Sequence, residues 1–410
     1  MTLMASESSS GAAAALTTDG DRTTDPRALR LAFAEARRAG RGRHRDIAER
    51  LGLSEAALVA AHCGAWPVVE SPLRARRLQG PWPELVAAVE SLGEVMALTR
   101  NDGCVHEKTG VYRRTSVNGT VGLVLGGAID LRLFYRAWSA AWAVEELLAD
   151  GQVQRSLQAF DAAGQAVHKI FLRPASDLTA WEPLIAAHLA ADQRPGFEAE
   201  ALPGPATDRP DAEIDVATFQ AGWRALQDTH AFFGLLQRHG LGRVQALRLA
   251  PPGHSRRLAT GAAHALLRSA ADQGTGVMVF VGNPGVIQIH SGPVQRVERM
   301  GPWLNVLDPA FNLHLREDLI DQAWWVAKPT ADGPVHSLEL FDAAGQTLAM
   351  CFGVRKPGQA EDAAWAALLD SLPGLGEGGA PQPVPPGGDL SPTDAQRAAA
   401  RAAPIRTETA

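Results

Sequence analysis

VMALTRNDGCVHEKTG, residues 95–110, and VMVFVGNPGVIQIHSG, residues 277–292, decide the fold. Laid over one another they repeat Val, Met, Asn and two Gly at a constant offset of 182 residues. The offset persists outward: IDLRLF (129–134) falls on FNLHLR (311–316), Trp142 falls on Trp324, and after one deletion FDAAGQ at Phe160 recurs unchanged at Phe341. Coincidence does not hold one register through four separated segments, so the chain carries an internal duplication that governs every later inference about its fold.

Within each copy, short Val/Ile/Leu/Phe-rich runs are punctuated by Asn-Asp-Gly, Asn-Pro-Gly, Asn-Gly and Asp-Ala-Ala-Gly, the signature of strands joined by turns. Segments such as PRALRLAFAEARRAG, DIAERLGLSEAALVAAH and ATFQAGWRALQDTHAFFGLLQRHG space their apolar residues three and four apart, as helices do. The expected class is α+β: a tandem duplication of a unit with a large antiparallel sheet flanked by helices. Composition sets the boundaries. Residues 1–26 and 373–410 are rich in Ser, Ala, Gly and Pro and are expected to form disordered tails. The first repeat is expected over 27–191 and the second over 213–372, joined by a Pro- and acid-rich linker at 192–212.

A formal charge of −6 gives no global pull toward nucleic acid or anionic membrane. Three cysteines without CxxC spacing argue against a disulfide framework and for a reducing compartment. With no basic, apolar leader and no long apolar run, a cytoplasmic protein without membrane insertion is expected.

None of the twelve histidines forms an HxxxH or HExxH pair, and no GxSxG, Walker or strand-GxGxxG-helix motif is present. His230 is the histidine of interest. On one continuous helix Trp223, Leu226, His230 and Phe233 share a face, and an imidazole on an aromatic stripe suits either a heme ligand or a core histidine satisfied by a carbonyl. Arg132 sits between two leucines in IDLRLF with His314 as its repeat mate, which fits ligand-facing positions that diverged or two exposed polar residues between buried leucines. RHRDIAERLGLSEAALVAAH has the shape of a helix-turn-helix, so a DNA-binding or heme-responsive regulator is the alternative function. Its second helix offers little but apolar side chains, so specific nucleic-acid binding is not expected. The tryptophans are dispersed, and Trp142 and Trp324 occupy matching repeat positions, as core residues do.

These motifs resemble the HemS-type hemin-degrading factors and cytoplasmic heme-trafficking proteins of bacterial heme uptake, through MALTRNDGCVHEKTG, GLVLGGAIDLRLF, WRALQDTHAFFGLLQRHGLGR, GPWLNVLDPAFNLHL and SLELFDAAGQ. The resemblance runs over about residues 27–370. It implies one heme b, bound for iron acquisition and either degraded by an oxygenase reaction with an external electron donor or delivered intact. His230 of DTHAFF would ligate the iron, Arg132 would lie on the distal side, and Arg243, Lys328 and Arg355 would meet the propionates. His106 and His314 would serve secondary heme sites. Phe352 stands where some members have tyrosine, which removes a hydroxyl from the pocket. The implied partners are a heme oxygenase and the cytoplasmic side of a heme ABC transporter.

Overall fold

The computed structural model describes residues 25–64, 70–201, 204, 207–355 and 358–375. The two tails therefore lie outside the described residues, apart from 25–26 and 373–375. The first half runs α1 (Pro26–Arg38), α2 (His44–Arg50), α3 (Glu55–Ala60), β1 (Leu73–Leu78), α4 (Trp82–Ala88), β2 (Gly93–Arg100), β3 (Cys104–Val111), β4 (Thr115–Asn118), β5 (Val121–Leu125), β6 (Asp130–Phe134), β7 (Ala140–Leu147), β8 (Val153–Phe160), β9 (Ala166–Ser176) and α5 (Trp181–His188). The second runs α6 (Val216–Arg224), α7 (Ala231–His239), α8 (Arg243–Arg248), β10 (Ser255–Leu258), α9 (Ala262–Gln273), β11 (Val277–Asn283), β12 (Val286–Gly292), β13 (Val297–Met300), β14 (Trp303–Asp308), β15 (Phe311–Arg316), β16 (Gln322–Lys328), β17 (Val335–Phe341), β18 (Thr347–Gly353) and α10 (Ala363–Asp370). Side-chain oxygens start several helices: Asp25 caps α1, Ser54 caps α3, Asp215 caps α6 and Asp362 caps α10.

The strands form two nine-stranded antiparallel sheets with orders β1-β7-β8-β9-β2-β3-β15-β14-β13 and β10-β16-β17-β18-β11-β12-β6-β5-β4. Neither sheet is confined to one copy of the repeat. Each takes six strands from one half and three from the other, because β6 pairs with β12 and β15 pairs with β3. The duplicated pattern of alternating apolar residues supports either pairing, so the exchange is a property of the whole chain rather than of one copy.

The inner faces of the sheets meet in an interface that keeps the twofold relation of the repeat. Asn101 reaches across to donate to the carbonyls of Gly282 and Leu348, and its mate Asn283 donates to those of Arg100 and Val167. Both amide oxygens fold back on the turn that follows, accepting from the N–H groups of Gly103 and Gly285. Glycine is required there, since a Cβ at Gly285 would overlap Val167 and one at Gly103 would overlap Leu348. Lys108 and His290, also repeat mates, hydrogen bond to each other at 2.7 Å. Around this polar centre the core is apolar, with Trp142, Trp181, Trp223 and Trp365 fully buried as expected of core tryptophans.

The helical hairpin α2–α3 is present, but every residue of α3 except the half-buried Ala57 is buried and the helix packs on the first sheet, so it has no polar face to offer a DNA groove. The start of the linker is also docked: Phe197 packs edge-on against Trp142, and Arg77 donates to the Gly196 carbonyl. No helix among the described residues is long and apolar enough to cross a membrane.

Candidate functional site

Strand alternation assigns the two faces of the second sheet. Val286, Gln288 and His290 of β12 point inward, while Ile287 and Ile289 point outward with their register partners Arg132 and Asp130 of β6. Helices α6–α8 cover only part of the outer face, where Trp324, Val326 and Phe341 join Phe219, Trp223 and Phe232 in one core cluster. The rest is a half-exposed apolar floor of Phe352, Met350, Met278, Phe280 and Ile287, with Phe280 and Phe352 packed edge to face at 5.0 Å. Arg132 stands three strands from Phe352 on this same face.

The continuous helix expected through His230 is not formed. Helix α6 ends at Arg224, residues 225–230 turn, and α7 begins after His230. Asp228 causes the break by accepting from the His230 backbone N–H at 2.9 Å, a local bond that competes with the helix. The supposed stripe is split accordingly: Trp223 and Leu226 are buried, whereas Phe233 and His230 are exposed. His230 thus stands at the mouth of α7, with its side chain 87% exposed.

The same carboxylate fixes the imidazole. His230 Nδ1 lies 2.7 Å from Asp228 Oδ1, and because a carboxylate only accepts, Nδ1 carries the proton. In the neutral ring the lone pair then sits on Nε2, directed away from its partner. Asp228 is held below the ordinary aspartate range by the His230 backbone N–H and then by the ring. A carboxylate that holds the far ring nitrogen in this way is the usual companion of a metal-ligating histidine.

Behind α7 lies a buried ion cluster. Glu339, with no exposed side-chain surface, accepts from Arg243 at 2.7 and 3.0 Å, from Lys328 at 2.6 Å and from the Ser337 hydroxyl at 3.1 Å. Burial alone would raise its pKa, but Arg243 and Lys328 outweigh that and hold the carboxyl well below its usual range. Burial lowers the Lys328 pKa despite Glu339. Lys328 Nζ lies 4.8 Å from the Phe232 ring and 6.0 Å from the Phe352 ring, which ties the cluster to the floor. Two cations share one carboxylate, so the cluster is positive by one charge. Arg355 reaches Thr229 Oγ1 at 3.4 Å, beside the His230 turn.

The structure therefore gathers His230, Arg243, Lys328, Phe352 and Arg355 around the start of α7, with Arg132 further across the same face. It does not gather His106 or His314. His106 is fully buried between the sheets against Phe311, both ring nitrogens lack hydrogen-bond partners, and burial followed by His290 and Lys108 holds its pKa well below the ordinary value. His314 lies on the first sheet with Nδ1 donating to Asn305 Oδ1 at 2.6 Å. Sequence reading missed Asp228 and Glu339. The Asp-Thr-His spacing was the available signal for the first, and an acid alternating with buried residues in VHSLELF was the signal for the second.

The profile of the haemin-degrading HemS/ChuX domain matches residues 52–188 and 240–372, one match in each half. The chain belongs to this family. It is 39% identical over 329 residues to the hemin transport protein HmuS of Yersinia pestis, covering 80% of this chain and 92% of that protein. The crystal structure of holo-PhuS, a heme-binding protein from Pseudomonas aeruginosa, superposes with a TM-score of 0.81 at 45% identity, covering 85% of this chain and 99% of that one. ChuS, described as an Escherichia coli heme oxygenase, superposes with a TM-score of 0.73 at 35% identity over 84% and 99%. Membership accounts for the duplication: the HemS/ChuX unit occurs twice, and the candidate site draws β16–β18 from the second match and β6 from the first, with α7 lying directly ahead of the second match.

Proposed function

We propose that this HemS/ChuX-family protein binds one heme b on the outer face of the second sheet, with His230 Nε2 as the iron ligand, as part of bacterial heme uptake and iron acquisition. The observation that carries the reading is the hydrogen bond of Nδ1 to Asp228, which leaves Nε2 unprotonated and exposed beside an apolar floor. The residues present fit the group: aromatic and thioether side chains suit the macrocycle, and the net positive Glu339 cluster with Arg355 suits the propionates. Bound heme supplies redox chemistry and dioxygen activation. The chain's own residues orient the ligand histidine, exclude water with Phe280, Phe352 and Met350, and place a guanidinium, Arg132, on the same face. Arg132 is steadied by Asp130 and by the Leu131 carbonyl, so its remaining donors are aimed rather than free to rotate.

Titration with ferric heme tests the assignment. A stoichiometry near one and a Soret band that His230→Ala displaces, with affinity reduced by about a hundredfold or more, are the expected results. An unchanged spectrum and affinity remove His230 from the role. The fate of the porphyrin is read with an electron donor, oxygen and catalase. The expected outcome is loss of the Soret band and a linear tetrapyrrole, with an intermediate effect in Arg132→Ala. Heme that survives and transfers to an added heme oxygenase identifies a cytoplasmic carrier instead.

A further inference from the structure

The four edges of the two sheets are managed differently. Strand β1 is covered on its free side, where Ala75 N–H donates to the His62 carbonyl and Leu78 bridges to Leu189. Strand β10 meets the chain again at Gly374 and carries Arg256 and Arg257. Strand β13 carries a charged edge in which Arg296 pairs with Glu298 and Arg299 with Glu317. These are ordinary defences against a foreign strand. Its counterpart β4, Thr-Ser-Val-Asn, has no charged residue, no backbone partner other than β5 among the described residues, and Val117 52% exposed.

A second set of observations falls at the same edge. Arg113 and Arg114 lead into β4, both exposed, and among the described residues neither has a hydrogen-bond or ion-pair partner. Arg114 holds φ at 51°, a conformation that among the described residues is otherwise left to glycine. The two arginines line a cavity of about 500 Å³ with Glu90, Leu125, Gly126 and Gly127. Gly126 has no room for a side chain, since its Cβ would sit 2.8 Å from Arg113 N. Leu125, exposed at the rim, adds an apolar contact.

We infer that β4 with Arg113 and Arg114 is a docking edge for an extended acidic segment of a partner protein, which adds a strand to the second sheet and sets carboxylates on the two guanidiniums. Main-chain bonds along β4 supply affinity, Val117 and Leu125 receive apolar side chains, and the arginines select acids. Glu90 restricts the acidic positions to the arginine side of the cavity. A second copy of this chain does not supply that charge, because antiparallel β4–β4 pairing sets Arg113 and Arg114 of each copy near Asn118 and Gly119 of the other. The partner strand would lie three strands from Arg132, about 14 Å across the sheet. The inference rests on the proposed heme site for its purpose but not for its chemistry.

The test uses the full-length, heme-free protein and a fluorescein-labelled peptide of alternating Glu and Val, against a Lys/Val peptide of equal length. The acidic peptide should bind about tenfold or more tightly than the basic one, weaken with salt, and lose that margin in Arg113→Glu/Arg114→Glu. Hydrogen exchange should show new protection at amides 115–118, and Val117→Pro should remove it. Heme titration of the double-arginine variant should match the parent, which separates failure here from failure at His230. Equal affinities, no acidic-peptide binding at about 1 mM, or protection outside 115–118 would overturn the inference. Protection of 115–118 that rises with protein concentration and needs no peptide assigns the edge to a second copy and overturns it equally.

Discussion

His230 and His44 each stand where the second helix of a pair begins, one on each sheet, and each bonds a carboxylate. His44 commits Nε2 to Glu146 at 3.0 Å, and its side chain is 12% exposed. His230 commits Nδ1 to Asp228 and leaves Nε2 outside. Exposure separates the two: His44 is held inside, whereas His230 keeps an unprotonated nitrogen open to solvent, which its proposed role needs. The charges beneath differ as well. Glu146, 182 residues before Lys328, is neutralised by Arg37 at 2.5 Å, and Lys169 pairs with Glu55. Under α7, Glu339 faces two cations, and its counterpart 181 residues earlier is the neutral Gln158. The first half has closed its place with balanced ion pairs, whereas the second keeps a surplus positive charge and an open nitrogen.

The largest expected effect sharpens this contrast. Glu339→Ala leaves Lys328 and Arg243 buried without a counter-charge and should cost about 3–5 kcal/mol in chemical denaturation, whereas Glu182→Ala, which removes an exposed pair with Arg76, should cost about 1 kcal/mol or less. Equal losses would break the distinction between the cluster and an ordinary surface bridge.

Next is Asp228→Asn. It keeps an acceptor near the ring but removes the charge that favours the Nδ1–H form, so heme affinity should fall by about ten- to a hundredfold in a Soret titration. His44→Ala should leave that titration unchanged. If His44→Ala matters as much as Asp228→Asn, the two histidines are not functionally distinct.

Buried histidines set the response to acid. Burial pushes His62 and His168 down to about 3, and burial with Lys108 pushes His290 down to about 4. Folded, these groups stay neutral; unfolded, they take up protons below about 6.5. Stability should therefore fall as pH drops from about 6.5 toward 4, at about 1.4 kcal/mol per pH unit for each such histidine. Denaturant midpoints across that range check the sign, and His168→Gln should flatten the slope. Asn101→Ala, which removes the donors to Gly282 and Leu348 together with the acceptor for the N–H groups of Gly103 and Cys104, should cost about 1 kcal/mol per lost bond.

Much of this was legible in the sequence because the offset of 182 ties distant strands to one pattern. The α+β class, the antiparallel sheets and the core tryptophans follow from that register. The exchange of β4–β6 for β13–β15 does not, since alternation fixes which face a residue occupies but not which copy supplies the neighbouring strand. The break before His230 was hidden because Trp223, Leu226, His230 and Phe233 keep helical spacing, while one Asx-type bond at Asp228 outweighs it locally. Glu339 was passed over because its partners Arg243 and Lys328 lie far apart in sequence, and only folding brings three charges together.

The exchanged strands also dictate a waiting time during synthesis. Strand β3 ends at Val111, and its partner β15 begins at Phe311. At about 5–20 residues per second the ribosome needs about 10–40 s to deliver the intervening chain. Throughout that interval β3 presents an unpaired edge, and the β4–β6 segment has no sheet to join. Until the second half emerges, the first half holds an open strand edge of the kind that other chains can pair with.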